Sequence, residues 1–136
     1  MNNTTQPDIF LVDDQQITNF INRKLLMVAG VGRNIYDFKN PYEALESLEK
    51  YKPQLILLDL NMPGLNGWEF IEKMEASYST DARIAIVTSS TSQYDYEKSR
   101  EYKSILDYLV KPIKDHSLKK LMEKFEQYSK EAAFNH

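Results

Sequence analysis

The chain has no cysteine, which excludes disulfide frameworks, thiolate metal sites and cysteine nucleophiles. It has no apolar run near the ~18 residues that a membrane-spanning helix needs. Its opening residues, Met1 to Gln6, are polar and lack the basic-then-apolar order of a signal peptide. Positive charge is not in excess: 17 Lys and Arg stand against 20 Asp and Glu, a formal net charge of −3. A general nucleic-acid binder needs the opposite balance to meet a phosphate backbone. Internal repeats, low-complexity segments and linkers are also missing. What remains is 136 residues, 42% hydrophobic and 27% charged, the size and composition of one compact core. One soluble, cytoplasmic domain is the expectation, with its ordered part over about residues 8–130.

Apolar segments of two kinds alternate along the chain. Ile9-Phe10-Leu11-Val12 is a short apolar run that stops at Asp13-Asp14. Ile17, Phe20, Ile21, Leu25 and Val28 then recur at helical spacing, ending near Gly30 and Gly32. Asn34 to Phe38 reads as a second strand. Pro41 suits the first turn of a helix whose apolar face is Tyr42, Leu45 and Leu48. Leu55 to Leu58 is a fully apolar strand, followed at once by Asp59.

The stretch from Asn61 to Gly67 is dense in turn formers. A helix carrying Trp68, Ile71 and Met74 follows, with Phe70 on its flank. Ile84 to Val87 is a fourth strand that closes on Thr88, and a polar helix spans about Tyr94 to Tyr102. Leu106 to Val110 is a fifth strand that ends at Lys111-Pro112. The last helix runs from about Ser117 to Ala132, with Leu118, Leu121, Met122 and Phe125 inward. Strands that are apolar on both faces and alternate with helices imply a parallel sheet between two helical layers, an α/β fold.

In an open parallel sheet, ligands bind beyond the carboxyl ends of the strands. The residues that close each strand are therefore the candidates: Asp13 and Asp14, Asp59, Thr88 and Lys111. Crowded carboxylates repel unless a cation joins them. Oxygen-only ligands suit a hard ion, and Mg²⁺ with retained waters is the natural occupant. A carboxylate can also attack phosphorus to give an aspartyl phosphate. The cation and Lys111 would offset charge on the phosphoryl oxygens, and the Thr88 hydroxyl could donate to them.

The pattern resembles the receiver domain of two-component response regulators, closest to the single-domain, chemotaxis-regulator type. The resemblance spans about residues 8 to 130. It rests on Asp13-Asp14 after an apolar strand, Asp59-Leu60-Asn61-Met62-Pro63-Gly64, Thr88 closing strand four, and Tyr108-Leu109-Val110-Lys111-Pro112. It implies a doubly wound, flavodoxin-like sheet of order 2-1-3-4-5. It also implies Asp59 as phosphoacceptor from a sensor histidine kinase or a histidine phosphotransfer protein. Mg²⁺ would be held by Asp14, Asp59 and the Asn61 backbone carbonyl, with Asp13 acting through water. Further implications are Thr88 and Tyr108 moving together as a switch, Lys111 on the phosphate, and a cis bond before Pro112. The output surface would be the fourth helix, fifth strand and fifth helix, read by an unidentified downstream protein. The chain would act as a monomer or a weak phosphorylation-dependent dimer, without nucleic acid or membrane. Its only catalysis would be its own phosphorylation and dephosphorylation.

Three positions depart from the usual pattern: Ser89 after the switch threonine, Lys103-Ser104-Ile105 before strand five, and Asn66-Gly67 in place of Asp-Gly. Plainer roles exist for each candidate. Asp13 or Asp14 could cap the first helix, Asp59 could be a turn residue, and Thr88 could cap the next helix. Tyr108 could be core and Lys111 a solvated lysine. His116 and His136 lack any partner pattern and read as surface residues. Among rival functions, a flavin carrier would need a Gly/Ser/Thr-rich phosphate cradle after strand one. An aspartyl-phosphate hydrolase would want a second Asp where Asn61 stands. A DNA-binding regulator would need a recognition helix after Ala133. A receiver-like module that is never phosphorylated would have lost an acceptor or metal residue, and all are present. The chain could also be the receiver part of a larger regulator.

Overall fold

The computed structural model describes residues 6–134; His136 and Met1 to Thr5 lie outside the described residues. Five short strands are β1 (Ile9–Val12), β2 (Ile35–Phe38), β3 (Leu55–Leu58), β4 (Arg83–Thr88) and β5 (Ile105–Val110). They form one parallel sheet of order β2-β1-β3-β4-β5, the doubly wound topology expected. The helices are α1 (Gln16–Val28), α2 (Pro41–Glu46), α3 (Leu48–Tyr51), α4 (Gly67–Ser77), α5 (Gln93–Ser99) and α6 (Asp115–Phe134). The expected second helix is thus two pieces meeting at Ser47. The expected fourth and fifth helices are α5 and α6.

Alternation along the strands sorts the core into two layers. Phe10, Val12, Ile56, Leu58, Ile84 and Ile86 pack with Ala44, Leu45, Leu48, Phe70, Ile71 and Met74 on one face. Ile9, Leu11, Leu55, Leu57, Ala85, Val87 and Leu109 pack with Leu26, Leu118, Leu121 and Phe125 on the other. Each fully buried Leu, Ile or Phe contributes about 2 kcal/mol by leaving water. Phe70 is wholly buried rather than flanking, while Tyr42 is exposed. β4 and β5 each begin one residue earlier than the sequence suggests, α6 begins at Asp115, and α5 stops at Ser99.

The first helix departs most from its apolar spacing. Ile17, Phe20, Ile21 and Val28 are 53–83% exposed, and the side buried against the sheet carries Asn19, Asn22 and Leu26. Asn19 is 1% exposed because its amide has backbone partners. Its Nδ2 donates to the carbonyls of Asp13 at 3.1 Å and Phe38 at 3.2 Å. A buried amide that satisfies two carbonyls is tolerated where an unpaired one is not. That face docks through the Asn19 hydrogen bonds and the burial of Leu26, with Leu25 packed beside it, while Ile17, Phe20, Ile21 and Val28 are left to solvent.

Below the sheet, Asp8 accepts from Arg33 Nε at 3.1 Å, Arg33 Nη2 at 2.9 Å and Asn34 Nδ2 at 3.0 Å. Its backbone N–H donates to Gln54 Oε1. This cluster ties the entrances of β1, β2 and β3 together.

Candidate functional site

Strand register brings the predicted residues together. Val12 pairs with Leu58, so Asp13 and Asp59 leave adjacent strands side by side, and Asp59 N–H donates to the Val12 carbonyl at 3.0 Å. This is the place where strand order reverses between β1 and β3, the crevice in which doubly wound sheets bind ligands. Thr88 pairs with Val110, which sets Lys111 beside Thr88; Lys111 N–H donates to the Thr88 carbonyl at 2.8 Å. The Lys111–Pro112 bond is cis.

One carboxylate oxygen from each of Asp13, Asp14 and Asp59 lies within 4.8 Å of the others. Asp13 and Asp59 are 4% and 5% exposed. Lys111 Nζ donates to Asp13 Oδ2 at 2.7 Å and stands 3.7 Å from Asp59 Oδ2. Among the described residues, Asp59 Oδ1 is buried without a hydrogen-bond partner. Burial raises the Asp59 carboxyl above the usual carboxylate range, and the Asp13 charge adds to the rise. The Lys111 ammonium and the Asn61 backbone pull it back in part. The orphan oxygen and the crowded acids fit a hard divalent cation, whose charge would relieve both.

Asp13 keeps a local turn contact at the start of α1, whereas the capping role open to Thr88 is taken by another residue. Gln15 stands at the N-cap of α1 without a side-chain bond, and Asp13 Oδ1 accepts from the Gln15 N–H instead. Ser92 caps α5, so Thr88 does not. Asn66 and Glu69 form a reciprocal capping box on α4. Gly67 opens that helix where a Cβ would lie 2.7 Å from the Asp59 carbonyl oxygen and 2.8 Å from Leu60 Cα. Glycine there lets α4 close against the strand end that carries Asp59.

Thr88 is fully buried. Its Oγ1 accepts from Ser90 N–H at 3.2 Å, and Asn61 Nδ2 lies 3.5 Å away. Tyr108 is half-buried, donates its hydroxyl to the Ser90 carbonyl at 3.0 Å, and meets Tyr96 edge to face. Burial raises its phenol above the ordinary value. His116 is exposed. Sequence reasoning missed Asn19, which holds the Asp13 carbonyl, and Ser90 and Asp95, which tie the β4–α5 loop to Trp68. No periodicity or motif marks them, because each acts through a contact between distant segments.

Known proteins bear on this geometry in two ways. The family profile for the response regulator receiver domain matches residues 9–123. The cyclic di-GMP phosphodiesterase response regulator RpfG of Xanthomonas campestris is 31% identical over 113 residues, 82% of this chain and 30% of that protein. The nitrate/nitrite response regulator NarL of Escherichia coli is 30% identical over 122 residues, 90% of this chain and 56% of that one. The chain thus spans roughly a third to just over half of these relatives, and the activity in the first name is that protein's. A two-component response regulator from Cytophaga hutchinsonii superposes with a TM-score of 0.83 at 25% identity, covering 90% of this chain and 98% of that one. Receiver domains are signalling switches that work with histidine kinases or phosphotransfer proteins. Among the described residues, no helix is long and apolar enough to cross a membrane. By its matched residues, its sheet order and its acidic crevice, this chain belongs to the response regulator receiver domain family.

Proposed function

We propose that the chain is a phosphorylation switch in which Asp59 accepts a phosphoryl group from a phosphohistidine on a sensor kinase or a phosphotransfer protein. One Asp59 oxygen forms the new O–P bond as the P–N bond of the donor breaks. The histidine keeps that electron pair and takes up a proton. The observation that carries this reading is Asp59 Oδ1, buried among carboxylates and, among the described residues, without a hydrogen-bond partner. An acceptor-only oxygen kept from both water and donors is costly in a merely structural residue.

Asp14, Asp59 and the Asn61 carbonyl would hold Mg²⁺, with Asp13 through water; when bound, the ion offsets charge on the phosphoryl oxygens. Lys111 supplies the protein's own cation. It turns from Asp13 toward a phosphoryl oxygen, a short movement given the distances of 2.7 and 3.7 Å. Thr88 donates its hydroxyl hydrogen, which its present contacts leave free, since both use its lone pairs. Tyr108 follows through Ser90. The surface of α5, β5 and α6 is then read by a downstream protein, by a shift between two populations. The reading sets the chain in the cytoplasm, where ATP charges the kinase, as a monomer or a weak phosphorylation-dependent dimer.

The test is incubation with Mg²⁺ and acetyl phosphate, followed by intact-mass measurement. The wild type is expected to gain one phosphoryl group, and Asp59→Asn or chelation with EDTA to abolish the gain. An equal gain in the asparagine variant contradicts the reading.

A further inference from the structure

Ser90 is the hub of the loop between β4 and α5. Its N–H donates to Thr88 Oγ1 at 3.2 Å, and its carbonyl accepts from the Tyr108 hydroxyl at 3.0 Å. Its hydroxyl donates to Asp95 Oδ2 at 2.8 Å and accepts from the Ser92 N–H at 3.2 Å. The other oxygen of Asp95, Oδ1, accepts from Trp68 Nε1 at 3.2 Å. One carboxylate thus joins the loop behind Thr88 to α4. The Trp68 indole it holds is stacked on Tyr102 at 5.7 Å and has the Lys98 ammonium 4.9 Å from its ring centre.

A carboxylate suits this place because it offers acceptors on both oxygens and no donor, and here it faces two donors. An asparagine would keep one acceptor oxygen and turn an NH₂ toward the second donor. The loop is held at its other end by Thr88 Oγ1. If the Thr88 side chain shifts to bring its free hydrogen to a phosphoryl group on Asp59, Oγ1 is carried with it and away from the Ser90 N–H. The loop then loses its anchor on the β4 side, and the strain of the rearrangement falls on the Asp95 contacts.

We propose that Asp95 is a latch. By holding the Ser90 hydroxyl and the Trp68 indole together, it fixes the unphosphorylated form of the α4–α5 surface, and the turn of Thr88 toward a phosphoryl group releases it. The inference rests on the phosphoacceptor reading above and assigns Asp95 as the residue that sets the resting balance. Ser90 is its link to the acceptor site, and Trp68 is the group on the surface that moves.

Trp68 is the chain's single tryptophan, so its emission reports the latch directly. The experiment compares the full chain, Asp95→Asn, Ser90→Ala and, as a control on the exposed side of α5, Glu97→Gln. Emission and intact mass are followed during incubation with Mg²⁺ and acetyl phosphate, and circular dichroism checks folding. Phosphorylation is expected to change Trp68 emission in the wild type and in Glu97→Gln. Unphosphorylated Asp95→Asn and Ser90→Ala are expected to emit already like the phosphorylated wild type. They are also expected to gain the phosphoryl group about fivefold faster, the population shift that losing one hydrogen bond allows.

Should Asp95→Asn not fold, Ser90→Ala decides, because it cuts the same link and keeps the carboxylate. A normal mass gain with emission and rate in both variants equal to wild type overturns the latch and leaves the acceptor reading standing. No mass gain in the wild type overturns both.

Discussion

The Lys111 ammonium lies 2.7 Å from Asp13 and 3.7 Å from Asp59. It is bonded to the neighbour of the proposed acceptor rather than to the acceptor itself. Among the described residues the other Asp59 oxygen, Oδ1, has no hydrogen-bond partner, and the offset keeps a cation within a short turn of any group that arrives there. It also sets Lys111 against a divalent cation, since both positive charges share the same acids. Replacing Lys111 by Met removes the competitor and the phosphate contact together. Mg²⁺ is expected to bind about fivefold more tightly, measured by calorimetry. The rate of phosphoryl uptake from acetyl phosphate is expected to fall about 100-fold. Weaker Mg²⁺ binding in this variant would show that Lys111 positions the acids rather than competing for them.

Asp59→Asn separates the cost of the site from its use. The carboxylate is buried, and crowded first by burial and then by Asp13. An amide of the same shape removes that charge. In EDTA the variant is expected to be more stable than wild type by about 1 kcal/mol in urea unfolding. Added Mg²⁺ should narrow or reverse the difference, because binding stabilises the form with the full acid set. A variant less stable than wild type in EDTA would mean that Asp59 has a structural partner.

Gly67→Ala tests how α4 is seated. Its Cβ would stand 2.7 Å from a backbone oxygen and 2.8 Å from a backbone carbon, and neither can yield as a flexible side chain would. A loss of about 2–3 kcal/mol is expected in chemical unfolding. Phosphoryl uptake should slow as well, since the displaced segment carries Asp59 and Asn61. Unchanged stability would show that α4 can shift away from the strand end without cost.

Acid stability should depend on the pair below the sheet. The Arg33 guanidinium, bonded to Asp8, holds that carboxyl below its ordinary value; burial opposes this and Asn34 assists it. The native protein therefore holds fewer protons on Asp8 than the unfolded chain does in mild acid. Stability from this group is present above about pH 4 and lost as the pH falls through the native value. Urea midpoints of the wild type should fall more steeply between about pH 4 and 3 than those of Arg33→Met. Parallel curves would show that the pair carries no linkage.

Strands and acids were legible in the sequence because their signals are local. Leu55 to Leu58 is apolar on both faces, which few places other than a central strand allow. Asp13, Asp59 and Lys111 each follow a strand directly and Thr88 ends one, so parallel order alone brings them to one edge. The first helix was less legible. Ile17, Phe20 and Ile21 carry the spacing of a buried face, yet Asn19 and Asn22 hold the inside. The carbonyls of Asp13 and Phe38, supplied by other segments, make that orientation tolerable for Asn19, and Leu26 buries beside it. Ser90, Asp95 and Trp68 were silent for the same reason: the Trp68–Asp95 bond spans 27 residues, and no single segment reveals it.

Where the phosphoryl group lands tests the account most directly. Protein treated with Mg²⁺ and acetyl phosphate can be reduced with borohydride, which converts an acyl phosphate of aspartate to homoserine, and then mapped by peptide mass spectrometry. Conversion at Asp59 alone is the expected result. Conversion at another residue, or none in protein whose mass has risen, would contradict Asp59 as the acceptor.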